Sequence, residues 1–304
     1  MTARVALVTT DLTSHTYGDD DAAPLSAALE AAGVTVAEPR WRDAGVEWAG
    51  FDLVVLRSPW DYMEHPEAFE TWMDATSQVT RVLNPPPLIR WDLDKRYMAD
   101  LARLGAPPAP TDFCEDATRV AVALGSRGGA QVVVKPNISA GSRLTGLFRA
   151  DDPAARELAA AILAEGKLVM VQDAIATIAQ GAEHGLVYLD GTYSHAFAKG
   201  PILDVGGQMR GGTYTEVITP VTPSDDEIAF GHRALAAIAS IARERAWGPD
   251  AVTPLYARID VATDTDATVR LVEAELFEPS LYFRIADEGA PVRMARAILE
   301  RLHT

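Results

Sequence analysis

The chain has 304 residues, of which 48% are hydrophobic, a composition typical of a globular protein with two or three subdomains. Lysine and arginine number 27 against 43 acidic residues, so the formal net charge is −16. A chain this acidic has no overall attraction for nucleic acid or an anionic membrane, and we expect neither as a partner. Any anionic ligand must therefore be held by locally placed cations.

The single cysteine, Cys114, excludes an intramolecular disulfide. Together with the lack of a recognisable signal peptide, this predicts a reducing, cytoplasmic compartment. Cys114 is open to two interpretations, a nucleophile or an inert small side chain, and the second is commoner. No apolar run approaches membrane-spanning length.

The first ninety residues alternate strand and helix signals, which is typical of a parallel α/β layer. We predict strands at 4–10, 34–38, 52–56 and 81–83. One helix is expected after the acidic residues 19–21, which would cap it, and another at 66–76. Three prolines at 85–87 predict a stiff break, so we divide the chain into an N-terminal α/β domain, 1–90, and a second domain, 91–304.

The second domain combines helices with largely antiparallel strands. Asp190-Gly191 is a strong hairpin signal between predicted strands at 184–189 and 192–198. The other predicted elements are helices at 91–104, 153–164, 224–246 and 291–302, and strands at 131–135, 167–172, 255–261 and 269–276.

The segment QVVVKPNISAGSRLTG (131–146) ends an apolar strand on Lys135 and continues into small residues. A lysine at a strand end is a point cation, and small residues let backbone N–H groups approach an anion closely. The segment is not a Walker A loop. Taken alone, a flexible turn beside a surface lysine explains it equally well.

The last two predicted strands carry the most specific pattern. Side chains alternate along a strand, so Arg258 and Asp260 share one face of YARID, and Glu273 and Glu275 share one face of VEAELFEP. If the strands pair, three carboxylates and an arginine crowd one patch. The three carboxylates repel one another when they are buried, and a bound hard cation such as Mg²⁺ usually offsets their charge. A solvated, incidentally charged face is the weaker alternative.

The order of these features resembles the ATP-grasp superfamily from about Trp91 to the C-terminus. The segments that carry the likeness are DKRYMADLARLGAPPAPT, VVVKPNISAGSRLTG and the Arg-x-Asp plus Glu-x-Glu ending. The resemblance implies an α/β fold in which an N-terminal α/β domain precedes an ATP-grasp domain of two α+β subdomains. These would be a lid at about 111–172 and a C-terminal subdomain at about 173–304.

The resemblance also implies ATP and Mg²⁺ as cofactors and a role for each site residue. Lys95 and Lys135 would contact the phosphates, and Ser139, Gly141 and Ser142 would close over them. Gln172, Asp173 and Ile175 would hold adenine, Glu183 the ribose, and Lys199 would be a further nucleotide contact. Asp260, Glu273 and Glu275 would hold Mg²⁺, and Arg258 would lie over the transferred phosphoryl group or the acyl oxyanion. Glu275 stands where the family often has Asn.

Within the superfamily, RSPWDY, YLDGTYSHAFAKGP and VEAELFEPSLYF look most like the small stand-alone ligases that include the O-ureido-D-serine cyclo-ligase of D-cycloserine biosynthesis. The implied chemistry is ATP-dependent activation of a small amino-acid carboxylate, followed by attack from a nitrogen of the same molecule. An intermolecular ligase for amino acids or peptides stays open, and so does a homo-oligomer. A nucleotide sensor with a decayed site is disfavoured because every charged site residue is present.

Two segments are candidate substrate contacts. RSPWDY follows a parallel strand, where such sheets place ligands, so Arg57 and Tyr62 are candidates, although a helix-start turn explains the segment slightly better. GGQMRGGTYTE offers Arg210 for a substrate carboxylate, or is simply a glycine-rich loop. His184 and His195 lie on predicted hairpin strands and are expected to pack rather than act as bases.

Overall fold

The computed structural model describes residues 2–10, 19–139, 141–209 and 216–303. The N-terminal sheet is parallel, with strand order β2-β1-β3-β4. Its strands are β1 Arg4–Thr9, β2 Thr35–Ala37, β3 Leu53–Ser58 and β4 Arg81–Leu83. Strand β3 is buried throughout, because apolar side chains cover both faces of such a sheet. The predicted parallel layer is confirmed.

The second sheet is antiparallel and lies in the middle of the chain, with order β5-β8-β6-β7. Its strands are β5 Thr111–Cys114, β6 Gln131–Pro136, β7 Gly146–Arg149 and β8 Val169–Asp173. The segment 111–173 that holds this sheet is called the lid below, after the predicted subdomain at 111–172. The domain division at residue 90 and the subdomain bounds stay predictions.

The third sheet carries the last hairpin and has order β13-β10-β9-β14-β15. The strands are β9 Glu183–Leu189, β10 Thr192–Lys199, β13 Ile218–Pro220, β14 Tyr256–Thr263 and β15 Val269–Glu275, and a short hairpin of β11 Leu203–Asp204 and β12 Gln208–Met209 lies apart from them. Asp190 and Gly191 both have positive φ, 48° and 74°, as a two-residue hairpin turn requires. The hairpin prediction is confirmed.

The helices are α1 Ala22–Ala31, α2 Pro66–Val79, α3 Pro86–Asp92, α4 Tyr97–Arg103, α5 Ala117–Ser126, α6 Pro153–Ala164, α7 Asp225–Glu244, α8 Pro249–Val252 and α9 Ala290–Leu302. Within the described ranges, none combines the length and apolar character that a membrane crossing requires. A cytoplasmic location stays a prediction.

Two local predictions are wrong. The single helix expected at 91–104 is split into α3 and α4, and Lys95 lies in the turn between them, where its N–H donates to the Asn137 carbonyl at 2.8 Å. Asp21 stands at the N-cap of α1, but its side chain makes no capping bond there. Its carboxylate instead accepts N–H groups of Leu281 and Phe283 at 2.6 and 2.7 Å.

The apolar cores show which parts of the chain depend on one another. One core joins the N-terminal sheet to the third sheet and to α9, through residues such as Leu7, Tyr256 and Ile298. The lid has a core of its own, which runs from Cys114 to Val171. Cys114 lies inside that core, and burial raises the pKa of its thiol to about 11, so it fits the inert interpretation rather than the nucleophile.

Candidate active site

A cavity of about 1470 Å³ opens between the lid sheet, the third sheet and the N-terminal domain. Most of the predicted site residues line it: Tyr62, Lys95, Lys135, Ser139, Gly141, Ser142, Gln172, Asp173, Ile175, Glu183, Lys199, Arg258, Glu273 and Glu275. Residues more than two hundred positions apart therefore meet at one place. Asp260 and Arg57 are absent from the lining.

The β14–β15 hairpin has the expected pairing. Arg258 lies opposite Glu275 and Asp260 opposite Glu273, so the four charged side chains share one face. The Arg258 guanidinium donates to both Asp260 oxygens, from Nε at 2.8 Å and from Nη2 at 2.9 Å, and also to Glu275. Its Nη1 donates to the Ser280 carbonyl at 3.1 Å. Arg258 is thus held in one orientation at the cavity wall.

The three acidic residues differ in how they could meet a metal ion. Asp260 is fully buried, and its oxygens already accept from Arg258 and from Lys199 at 3.0 Å. The side chains of Glu273 and Glu275 are 30% and 26% exposed, toward the cavity. No set of three His, Cys, Asp or Glu side chains in the described ranges is arranged to hold a metal. The predicted three-carboxylate cluster is therefore not preformed.

Two open carboxylates still suit Mg²⁺, which usually takes one or two of them and fills its shell with water and phosphate oxygens. Burial raises the pKa of Glu275 to about 8; Arg258 and Lys199 oppose the rise, and Asp260 and Glu273 add to it. This site is short of positive charge, which a divalent cation would supply. Glu273 and Glu275 fit the ion, whereas Asp260 fits a role in holding Arg258 and Lys199.

The lysines differ in their partners. Lys95 Nζ donates to the Ser139 carbonyl at 2.9 Å and pairs with Glu273 at 3.0 Å, which ties the small-residue loop to the third sheet. Lys199 pairs with Glu183 at 2.8 Å and with Asp260. Lys135 is only 9% exposed and makes no ion pair with any described residue, and burial lowers its pKa to about 8. A buried cation without a carboxylate is suited to receive a phosphate.

The predicted adenine segment follows the last lid strand. Gln172 Nε2 donates to Thr111 at 2.9 Å, and the Asp173 carboxylate pairs with Arg127 at 2.5 Å. The N–H groups of Asp173 and Ala174 donate to the carbonyls of Pro110 and Gln131. Those side chains and donors are therefore engaged, and a base would have to contact other backbone groups of the segment, among them those of Ile175.

The substrate predictions have three different outcomes. Arg57 is 1% exposed; it donates to the Pro279 carbonyl at 3.1 Å and lies 3.6 Å from Asp21, so it is a buried link rather than a cavity residue. Tyr62 follows β3 in a short 3₁₀ helix and lines the cavity. Arg210 falls outside the described residues.

The histidines pack as expected. His195 Nε2 lies 2.7 Å from the Leu281 carbonyl in a buried position, and His184 pairs with Glu227 at 2.9 Å. Neither lines the cavity.

Backbone turns at Gly141 and Ser142, with φ of 58° and 55°, shape the small-residue loop beside Lys135.

Comparison with known proteins identifies the family. The family profile of the N-terminal domain of D-cycloserine synthetase DcsG matches residues 5–84. The cycloserine biosynthesis protein DcsG of Streptomyces lavendulae is 35% identical over 292 residues, which cover 93% of this chain and 94% of that protein. The chain belongs to the DcsG family. The crystal structure of D-cycloserine synthetase DcsG is 33% identical, with a TM-score of 0.86 over 99% of this chain and all of that one.

The wider likeness agrees on the fold. The ATP-grasp ligase PsnB, solved with a phosphomimetic variant of its minimal precursor, Mg and ADP, has a TM-score of 0.61 at 17% identity over 99% of each chain. The chain therefore has the ATP-grasp fold, and its membership of the DcsG family makes it an ATP-dependent ligase, as the sequence resemblance implied.

The cavity of this DcsG-family chain also contains acidic residues that the sequence does not single out. Asp92 ends α3 and Glu278 follows β15, and both line the cavity. Neither belongs to a motif with a characteristic spacing. Only the packing of α3 against the end of β15, where Asp92 accepts the Leu276 N–H at 2.8 Å, brings Asp92 to the site.

Proposed function

We propose that this chain uses ATP and Mg²⁺ to activate the carboxylate of O-ureido-D-serine as an acyl phosphate, and that a nitrogen of the same molecule displaces the phosphate. Water then cleaves the bond between that nitrogen and the ureido carbonyl, so the products are D-cycloserine, carbon dioxide and ammonia, with ADP and inorganic phosphate from ATP. The reaction is balanced, because O-ureido-D-serine contains the same atoms as D-cycloserine, carbon dioxide and ammonia together.

One observation carries the proposal. Lys135, a buried cation that has no ion-pair partner in the part of the chain that the structure describes, lines the same cavity as the partly exposed carboxylates of Glu273 and Glu275. This arrangement suits a polyphosphate bridged by a divalent ion to a protein. The full-length likeness to DcsG supports the choice of substrate, and a nucleophile within the same molecule has a high effective concentration.

The chain's own residues would divide the work as follows. Lys135, and Lys95 together with the loop that it holds through Ser139, would bind and orient the phosphates. Glu273 and Glu275 would hold Mg²⁺, which when bound offsets charge on the transferred phosphoryl group. Arg258, fixed by Asp260 and Ser280, would face the acyl oxyanion with its planar cation.

The test is incubation with ATP, Mg²⁺ and O-ureido-D-serine, with ADP and product mass as readouts. We expect ADP and D-cycloserine in equal amounts. Glu273→Gln removes a ligand charge with little change in volume, so it should abolish both products while circular dichroism stays unchanged. If ADP forms only after a second amine is added, and the product is coupled to that amine, the enzyme is an intermolecular ligase instead.

A further inference from the structure

Two carboxylates on the cavity wall, the buried Asp92 and the half-buried Glu278, have no cation partner among the described residues. Asp92 is 8% exposed; its Oδ2 accepts the Leu276 N–H, whereas its Oδ1 is shielded from water and has no hydrogen-bond partner. Glu278 interacts with the Tyr62 hydroxyl. By contrast, Glu183, Asp260, Glu273 and Glu275 each pair with a lysine or arginine.

The electrostatics agree with this shortage of positive charge. Burial raises the pKa of Asp92 well above its usual range, and Glu273 and Glu275 add to the rise. Burial also raises the pKa of Glu278 to about 7. Lys95 is a cation whose charge reaches both, but its ammonium group already contacts Glu273 and Ser139. A charged carboxylate that is shielded from water and lacks a cation is costly, and a ligand that supplies a cation removes that cost.

The pair lies next to the place where a carboxylate would be activated. Leu276, whose N–H holds Asp92, directly follows Glu275 in the chain, and Glu278 is two residues further on. In an α-amino acid the ammonium and the carboxylate are bonded to the same carbon. A subsite for the ammonium must therefore adjoin the site that receives the carboxylate, as Asp92 and Glu278 adjoin Glu275.

We propose that Asp92 and Glu278 bind the α-ammonium group of the substrate, with Tyr62 orienting Glu278, and so restrict the enzyme to amino acids. The inference rests on the proposed function, because it assigns the amino-acid selectivity of that same site. Both side chains are specificity-determining contacts with the substrate, and neither takes part in bond making.

The experiment combines protein variants with a change in the ligand. O-ureido-D-serine and its deamino analogue, 3-(ureidooxy)propanoate, are titrated by calorimetry into the protein saturated with a non-hydrolysable ATP analogue and Mg²⁺. Asp92→Asn keeps an acceptor for the Leu276 N–H, and Glu278→Gln keeps the side-chain shape. Glu64→Gln is the matched control, because Glu64 is an exposed acid that lines the same cavity.

Wild type and Glu64→Gln should lose about 10- to 100-fold in affinity when the ammonium is removed, the range for hydrogen bonds to charged groups. In Asp92→Asn and Glu278→Gln, most of that difference in affinity should vanish. Each variant should bind O-ureido-D-serine more weakly than the wild type does, while its affinity for the deamino analogue stays the same. Affinity for the ATP analogue should stay within about twofold in every variant, which shows that the cavity is intact.

Two results would overturn the inference. Undiminished discrimination in both variants would place the ammonium elsewhere, and equal weakening of both ligands would assign the two residues to cavity shape alone. The binding readout is separate from turnover. Binding through this subsite without D-cycloserine formation would contradict the proposed function only, and D-cycloserine formation with unchanged discrimination would contradict the inference only.

Discussion

At the scale of single residues, the charge state of Lys135 sets how nucleotide binding should depend on pH. Its pKa of about 8 is low because the side chain is buried, and a bound phosphate would favour the charged form. The charged form prevails below pH 8. As pH rises above about 8, ADP affinity should therefore fall, by at most tenfold per pH unit.

Variants isolate this effect. Lys135→Ala should weaken ADP binding at pH 7 by about 1.5–3 kcal/mol and remove the fall above pH 8. Lys167→Ala is the control, because Lys167 lines the same cavity but is paired with Glu165 at 3.2 Å. Calorimetric titrations from pH 6.5 to 9.5 measure both quantities. If ADP affinity depends on pH in the same way in Lys135→Ala as in the wild type, the role given to Lys135 is wrong.

Residues differ in how far the sequence could place them. Arg258, Asp260, Glu273 and Glu275 meet because strand alternation and one hairpin suffice to bring them together, and both are visible in the sequence. The burial of Arg57 depends instead on the Pro279 carbonyl, 222 positions away. No local pattern reports such a contact, and the same holds for the approach of Asp92 to Leu276.

At the scale of elements, the predictions succeed where local signals agree with packing. Helix α6 begins after Asp152, which accepts the Ala154 N–H, and α7 begins with the capping box of Ser224 and Glu227. The helix expected at 91–104 is broken because the Asn137 carbonyl takes the Lys95 N–H, a tertiary contact that overrides propensity. Strand β7 has only four residues and little pattern to detect.

Helix α7 offers a prediction about packing on the third sheet. A methyl group at Gly231 would lie 2.0 Å from the Tyr188 hydroxyl oxygen, whereas Gly125, on the exposed side of α5, has nothing within 4 Å of such a group. Gly231→Ala should therefore lower the free energy of unfolding by about 1–3 kcal/mol. Gly125→Ala should raise it by about 0.5–1 kcal/mol, since alanine favours a helix.

Urea denaturation of the two variants measures these changes. The double variant Gly231→Ala/Tyr188→Phe removes the hydroxyl that approaches most closely, and should recover part of the loss. If Gly231→Ala is as stabilising as Gly125→Ala, then α7 does not pack against Tyr188 as the structure has it.

At the scale of the whole molecule, the N-terminal sheet and the third sheet share one apolar core, and the lid is built around another. Asn84, fully buried after β4, accepts the Leu255 N–H at 2.7 Å and donates to the carbonyls of Tyr256 and Leu276. The Tyr256 hydroxyl oxygen in turn lies 2.5 and 2.7 Å from the carbonyl oxygens of Leu56 and Phe277, which share its one proton. Polar links and a shared apolar core thus join these two sheets, while the lid has a core of its own and meets the core of the third sheet and α7 through Met170.

Asn84→Ala should therefore loosen both sheets together. The change leaves the Leu255 N–H and two carbonyls without their partner, and should cost at least about 2 kcal/mol. Hydrogen exchange should quicken alike at the amides of β3 and of β14, with lid amides at 132–134 and 170–171 nearly unchanged, because local openings follow cooperative units.

Ile162→Ala, in the lid core, is the matched control and should quicken exchange in the lid alone, at a cost of about 2–5 kcal/mol. If either variant speeds exchange in all three sheets, the molecule is a single cooperative unit. If Asn84→Ala speeds exchange in β14 but not in β3, the shared core does not couple the two sheets.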